Sequence, residues 1–257
     1  MAPSSGVEAD KRMLLQTAAA TLLLGAVSNA WAGERPVALD AWARQLVDLN
    51  AALRERSIGV AEWQTRVERL NASVPVADLA RYLDIDHLTR RFTYSTNLAD
   101  TVDPVLPADV LGTEGRRNWF VRVFGMRRGG AVIPHVHNSM VSAHLVLSGA
   151  FRARTADRLR DEADAVVLRP TRNGVIHVGD VISMSDQRDN QHWLVAQEDR
   201  SLTFDVGVVD TPASWRYGLQ ANEYNMIFVD VDRPSERDGT IRAPVMSFEA
   251  CAAKYAP

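Results

Sequence analysis

The hydrophobic period changes once along the chain, near residue 91, and this change restricts the fold more than any other feature. Before it, apolar residues recur every three or four positions, which is typical of amphipathic helices. After it, the helical period disappears, and short apolar runs are separated by Gly, Pro, Asp and Asn. The sequence therefore predicts a helical segment, residues 33–91, followed by a region of many short strands.

Three amphipathic helices are predicted between residues 37 and 91, with Gly59 and the stretch 73–75 as breaks between them. Such apolar stripes form core more often than cofactor sites, so we expect them to pack on a sheet or on a partner chain. The stripes are Leu39, Trp42, Leu46, Leu49 and Leu53, then Val60, Trp63, Val67 and Leu70, then Val76, Leu79 and Leu83.

The strand-like region spans residues 92–235. Many short strands at this spacing indicate an antiparallel sandwich or barrel, so the chain is predicted to be mostly β. Residues 236–257 carry few signals, and we expect a surface tail there. The predicted strands are 117–126, 131–137, 141–148, 165–168, 174–184, 192–196, 201–209 and 225–231.

The first 32 residues are typical of a cleavable export signal. Lys11 and Arg12 precede an apolar run, 13–27, and a small-residue site ends at Ala32. A run of this length, at ~1.5 Å per residue, falls short of the ~30 Å bilayer core, which disfavours a membrane span. After cleavage, no stable membrane span is expected. The basic pair also resembles a twin-arginine signal, and a retained anchor or a start at Met13 stays open. We expect an exported protein, in the bacterial periplasm.

Composition excludes several classes of protein. The 257 residues are 46% hydrophobic and 24% charged, which suits a globular core and not a disordered chain or a collagen. The net charge of −3 offers no basic excess, so nucleic acid is not expected as a partner. The single cysteine, Cys251, excludes an intrachain disulfide framework and is expected to be an inert thiol.

Five of the six histidines lie between residues 135 and 192, and they carry the chemistry. His135 and His137 are two apart on a predicted strand, so their side chains share a face, with Cα atoms roughly 6.5–7 Å apart. Two imidazoles at that separation can converge on one metal ion. His192 is the best candidate for a third ligand. His144 has the parity of Ser142, and it is a fourth ligand, a donor to a ligand, or a core histidine.

The stretch from Gly130 to Gly149 resembles the first motif of the cupins, with its His-x-His and the later Gly at the family spacing. The stretch from Gly179 to His192 resembles their second motif, two residues longer and without the usual Pro and Gly. The resemblance covers roughly residues 93–232. It implies a jelly-roll barrel that binds one divalent metal ion through His135, His137 and His192. The fourth family ligand is a Glu, and Ser142 stands in its place. Ser142, like His144, is therefore a candidate for a hydrogen bond to one of the metal ligands.

The missing Glu makes the site similar to that of the three-His thiol dioxygenases, which use iron. The run from Ile133 to Met140 and the run from Asn190 to Ala196 also resemble one branch of that group. The resemblance implies Fe(II), with Zn, Mn or Ni as alternatives, and a small-molecule substrate, either a thiol or a small organic acid. Cupins of this type commonly form homodimers.

The sequence is compatible with three functions. A non-haem iron dioxygenase is favoured by the missing Glu, a non-redox isomerase or lyase is the second, and a non-catalytic ligand-binding barrel is favoured by the loose second motif. In the first, we expect an apolar, water-excluding wall and an Arg that pairs with a substrate carboxylate. The candidates for the wall are Met140, Trp193 and Phe204, and those for the Arg are Arg122 and Arg154.

Overall fold

The computed structural model describes residues 37–111, 118–212 and 217–256. The predicted export signal, 1–32, lies outside these residues. Within the described part, every helix is too short or too polar to cross a membrane.

The predicted helical segment is confirmed. Helices α1 to α3 cover Val37–Arg54, Val60–Ala72 and Val76–Tyr82, and a short helix α4, Ile85–Leu88, follows. The breaks lie where the sequence places them, because Gly59 and Pro75 are the N-cap residues of α2 and α3. A further short helix, α5, covers Ala108–Leu111.

The rest of the described chain forms two antiparallel sheets with strands β1 to β11. The five-stranded sheet has the order β1-β2-β9-β4-β7, and the six-stranded sheet has the order β10-β3-β8-β5-β6-β11. Their central four-strand sets, β2-β9-β4-β7 and β3-β8-β5-β6, are the interleaved order of a jelly roll. The strands are β1 Asp100–Val102, β2 Trp119–Met126, β3 Ala131–Val136, β4 Val141–Ser148, β5 Ala150–Asp161, β6 Ala165–His177, β7 Val181–Met184, β8 Gln191–Ala196, β9 Ser201–Val208, β10 Ile227–Phe228 and β11 Ile241–Pro244.

The helices cover the outer face of the five-stranded sheet. Their apolar stripes form one core cluster with Val121, Val123 and other outward residues of β2, β4 and β9. Trp63 is fully buried, and the Trp42 ring lies 5.8 Å from that of Phe204. The predicted packing of the stripes on a sheet is thus what the structure has.

Several strand predictions need correction, and the three-residue strand β1 lies outside every predicted run. Strand β5 was missed, because its Arg-rich sequence has no clean apolar alternation, and the predicted strands 165–168 and 174–184 belong to β6 and β7 with a different break. Only residues 165–168 of β6 lie next to β11. Residues 169–173, beyond that edge, are exposed and, apart from Pro170, polar.

The C-terminal stretch is not the surface tail that the sequence predicts. It adds strand β11 to the six-stranded sheet and ends in helix α6, Phe248–Tyr255. Cys251 and Tyr255, one helical turn apart, are buried against Ile133 and Phe228. The buried Cys251 thiol has its pKa raised to about 12 by burial, which agrees with an inert thiol.

Candidate metal centre

The inner face of the five-stranded sheet is built of cross-strand rows, because opposed residues on neighbouring antiparallel strands share a face. One row runs Arg122, Asp205, His144 across β2, β9 and β4. The next row, two residues along each strand, includes Phe120, Gly207 and Ser142. These rows form the wall that faces the six-stranded sheet across the barrel.

A β-bulge in β3 turns the first histidine inward. Val132 pairs with Leu194 and His135 pairs with His192, so a step of three residues on β3 faces a step of two on β8. The extra residue reverses the alternation, and His135 therefore shares the inner face with Val132. His137, two residues further on, shares it too.

The structure brings His135, His137 and His192 together. Each offers one ligand nitrogen, and these nitrogens lie within 4.8 Å of one another. The ring centroid of His135 is 4.1 Å from that of His192 and 4.6 Å from that of His137. All three side chains are buried.

Backbone carbonyls orient the three rings. Nδ1 of His135 donates to the carbonyl of Ile133 at 2.7 Å, and Nδ1 of His192 lies 3.4 Å from the carbonyl of Asn190. Nδ1 of His137 donates to the carbonyl of Asn225. A carbonyl only accepts, so each Nδ1 carries the proton and each Nε2 keeps its lone pair. This is the arrangement that outer partners give to metal-binding histidines.

The three rings are neutral at pH 7. Burial lowers the pKa of His135 to about 4. Burial, together with the neighbouring imidazoles, holds the pKa values of His137 and His192 well below the usual value. Neutral imidazole is the form that binds metal, so no proton has to be displaced. Three converging, neutral nitrogen donors fit a divalent transition metal.

His144 lies next to this cluster without joining it. Its ring centroid is 5.8 Å from that of His192, and its Nε2 is 3.9 Å from Oδ1 of Asp205. Burial lowers the pKa of His144 to about 4 and raises that of Asp205 to about 8. Both groups are therefore neutral at pH 7, and the pair is not an ion pair. Ser142 hydrogen-bonds to Asp205.

The Arg122 position matches the predicted strand parity, since it opposes Asp205 on the inner face. Its guanidinium is held by Asp103, with Nε and Nη2 at 2.7 and 3.2 Å from the two carboxylate oxygens. Phe124, on the same strand, lies 5.6 Å from the His144 ring. Arg122, Phe120 and Phe124 are partly exposed although they are on the inner face, so this part of the barrel is reached by solvent.

Three predicted wall and substrate residues face away from the cluster. Trp193 follows the inward His192 and is on the outer face, where the Arg154 guanidinium lies 4.4 Å from its ring centroid. Arg154 also pairs with Asp232. Phe204 points to the helices. These three assignments were wrong because adjacent residues of a strand lie on opposite faces. Met140 is buried.

Two residues that hold the strands carrying the candidate ligands were not predicted from the sequence. The Asn190 side chain accepts from the His137 N–H and donates to the His137 carbonyl, both at 3.2 Å, so it joins the two ligand strands. Its position two residues before His192 was a usable signal. Arg158 also donates to the His137 carbonyl, at 2.9 Å. Nothing in its sequence context marks it, since it lies on the strand that was not predicted.

Among known proteins, matches to this chain were found only among solved structures. No protein-family model and no curated protein match the chain. KdgF from a Halomonas species is similar at 16% identity and a TM-score of 0.31, over 43% of this chain and 77% of that one. A cupin superfamily protein from Desulfitobacterium hafniense DCB-2 is similar at 11% identity and a TM-score of 0.29, over 44% and 78%.

A third similar structure is the cupin domain of Cnp3 from Schizosaccharomyces pombe. Its identity is 7% and its TM-score 0.31, over 44% of this chain and 65% of that one. Scores this low are too weak to support a fold or a function. The jelly roll is instead established by the strand order, and the candidate site by the three converging histidines.

Proposed function

We propose that this protein binds one divalent metal ion, Fe(II), through His135, His137 and His192, and that it is a dioxygenase for a small substrate. The observation that carries the proposal is the convergence of three buried, neutral imidazoles with Ser142 where a carboxylate ligand would be expected. When bound to such a neutral face, ferrous iron supplies the redox chemistry with O₂ and leaves positions for substrate.

The chain itself would supply the wall that binds the substrate. Phe120 and Phe124 give the facing wall an apolar character, which favours a small, partly apolar substrate. Asp205 holds a proton on its carboxyl group at pH 7, because burial raises its pKa to about 8. A protonated Asp205 beside a neutral His144 gives this wall hydrogen-bonding groups without a fixed negative charge.

The proposed substrate is a thiol or a small organic acid. Neither the three imidazoles nor the His144–Asp205 pair carries a negative charge at pH 7, so an anionic group would meet no repulsion from them. Arg122 uses two of its nitrogens on Asp103. It would bind a carboxylate with its remaining N–H donors.

O₂ uptake by the Fe(II)-loaded protein tests this function. A panel of small thiols and small organic acids would be offered, with Zn(II)-loaded protein and the His135→Ala/His137→Ala variant as controls. The proposal expects substrate-dependent O₂ uptake only in the iron-loaded wild type. Substrate conversion without O₂ would instead identify a non-redox isomerase or lyase. Substrate binding without conversion would identify a ligand-binding barrel.

Export is a separate proposal. We infer from the leader-like residues 1–32 that the protein is exported and cleaved after Ala32. The mass of the protein recovered from the periplasm tests this. A chain that begins at Gly33 would support export, and a chain that retains its leader in the cytoplasm would contradict it.

A further inference from the structure

Loop 217–226, called the strap below, closes over the turn that follows His137. At one end, the Tyr217 hydroxyl accepts from the Ser139 N–H at 2.6 Å, and the Leu219 carbonyl accepts from the Asn138 side chain at 3.0 Å. At the other end, Asn225 exchanges hydrogen bonds with the backbone of Asn138. Both ends of the strap therefore contact Asn138, in the turn that follows His137.

A buried ion pair anchors the strap to the barrel. Nε and Nη2 of Arg158 donate to the two oxygens of Asp161, at 2.8 and 2.7 Å, and the two side chains are 0% and 2% exposed. Oδ2 of Asp161 also accepts from the N–H groups of Gly218 and Leu219, at 2.8 and 2.9 Å. The Arg158 guanidinium lies 5.1 Å from the centroid of the Tyr217 ring.

The same guanidinium reaches the ligand strand. Nη1 of Arg158 donates to the His137 carbonyl at 2.9 Å and to Oδ1 of Asn138 at 2.8 Å. Arg158 thus joins the backbone of one candidate ligand to the carboxylate that holds the strap. This geometry requires the planar fork of Arg, whose nitrogens donate in different directions.

The three candidate ligands differ in where their ring partner comes from. His135 and His192 each use a carbonyl two residues earlier in the chain. His137 uses the carbonyl of Asn225, which belongs to the strap. The tautomer and the ring orientation of His137 therefore depend on a closed strap, whereas those of the other two do not.

We propose that the Arg158–Asp161 pair and the strap position His137 for metal binding, so that metal binding and strap closure stabilise each other. The inference rests on the proposed metal site. Linkage requires the coupling to be reciprocal: a closed strap raises metal affinity, and bound metal keeps the strap closed by the same factor. Arg158 and Asp161 are positioning residues, because they act through His137.

Titration of the full chain with Co(II), followed by visible absorption, tests the first half of the proposal. Asp161→Asn removes the charge that holds Arg158 and the strap, and we expect about 10–100-fold weaker Co(II) binding with altered absorption bands. Arg158→Lys, which keeps the charge, should lie between Asp161→Asn and wild type. Arg242→Lys is the matched control, because Arg242 pairs with Glu162 and Asp164 and has no hydrogen bond to the strap or to the three histidines.

Hydrogen exchange of the wild-type protein tests the second half and needs no variant to fold. Co(II) should slow amide exchange in residues 217–226 and leave helix α6 unchanged. Wild-type affinity and absorption bands in Asp161→Asn, or equal exchange of the strap with and without Co(II), would overturn the coupling alone. Failure of the wild type to bind Co(II) would overturn the metal site and the coupling together.

Discussion

The two ends of the barrel interior are made by the same strands but differ in chemistry. At one end, Phe151, Leu194 and Val146 belong to an apolar cluster that is almost fully buried. At the other end, two residues away on the same strands, lie His192 on β8 and His144 on β4. The alternation of a strand places both sets on one inner face, so only the position along the strand separates core from site.

This comparison assigns different tasks to the two ends. Burial of apolar side chains stabilises the fold, whereas buried polar groups cost free energy unless they are paired. Nδ1 of His144 and Oδ1 of Asp205 have no hydrogen-bond partner among the described residues. We infer that the apolar end offsets a polar end that is arranged for binding, as is common for functional sites.

At the polar end of the barrel interior, removing one imidazole should lower the metal affinity, and this is the largest effect that we expect. In His192→Ala, two nitrogens are left, and we expect metal affinity to fall by more than the roughly 10–100-fold that loss of an outer partner costs. His177→Ala, at an exposed position on β6, is the matched control and should bind metal like the wild type. Equal metal affinity in the two variants would show that the cluster is not the site.

Truncation at the apolar end should affect stability and leave metal binding intact. Phe151 is fully buried, and Phe151→Ala should lower the free energy of unfolding by about 3–5 kcal/mol because it leaves a cavity. Urea denaturation measures this, with Val175→Ala, 49% exposed, as the control of small effect. A Phe151→Ala variant of unchanged stability would contradict the division between the two ends.

The pH dependence of stability separates the polar groups by sign. Asp205 has a pKa raised to about 8, so between about pH 4 and 8 the folded state binds the extra proton and stability falls as pH rises. The buried histidines act oppositely, because their lowered pKa values make stability fall as pH drops from about 6.5 to 4. Above pH 6.5, Asp205 should therefore contribute more to the pH dependence of stability than the buried histidines do.

Denaturation of chelator-treated protein at pH 6.5 and 8 measures the Asp205 contribution. We expect the wild type to lose about 2 kcal/mol over this interval, from roughly 1.36 kcal/mol per pH unit. Asp205→Asn cannot ionise and should remove the loss. If the loss is the same in both proteins, Asp205 is already ionised in the folded state.

A substitution on the outer face of the six-stranded sheet should give the smallest change in stability. Arg154 stacks on Trp193 outside the barrel, and Arg154→Ala should lower stability by about 0.5–1 kcal/mol. Thermal denaturation and metal titration would be run together. An altered metal affinity would mean that this outer pair influences the site, against the strand parity described above.

The sequence correctly predicted the features that depend on residues close together along the chain. The stripes of Trp42, Trp63 and Leu79 indicated helices that bury one face, and the jelly roll followed from the cupin resemblance. The spacing of His135 and His137 correctly indicated a shared face. The position of Trp193 outside the barrel was also within reach, because an inward His192 requires an outward neighbour.

The missed features depend on contacts distant in sequence. The bulge between Val132 and His135 is visible only in their pairing with β8. Phe204 lies on a strand that is buried on both faces, so its burial does not reveal its direction. Helix α6 is short. Its two buried residues, Cys251 and Tyr255, can be recognised as a packing face only once the sheet that they cover is known.

Elemental analysis of the full chain, expressed with residues 1–32 in place and purified without chelators, tests the central claim most directly. The matched sample is the His135→Ala/His137→Ala variant, prepared in the same way. We expect near-stoichiometric iron in the wild type and its loss in the variant. Zinc, manganese or nickel in place of iron would favour a non-redox enzyme at the same site. No metal in either protein would contradict the metal centre and leave a ligand-binding barrel with structural histidines.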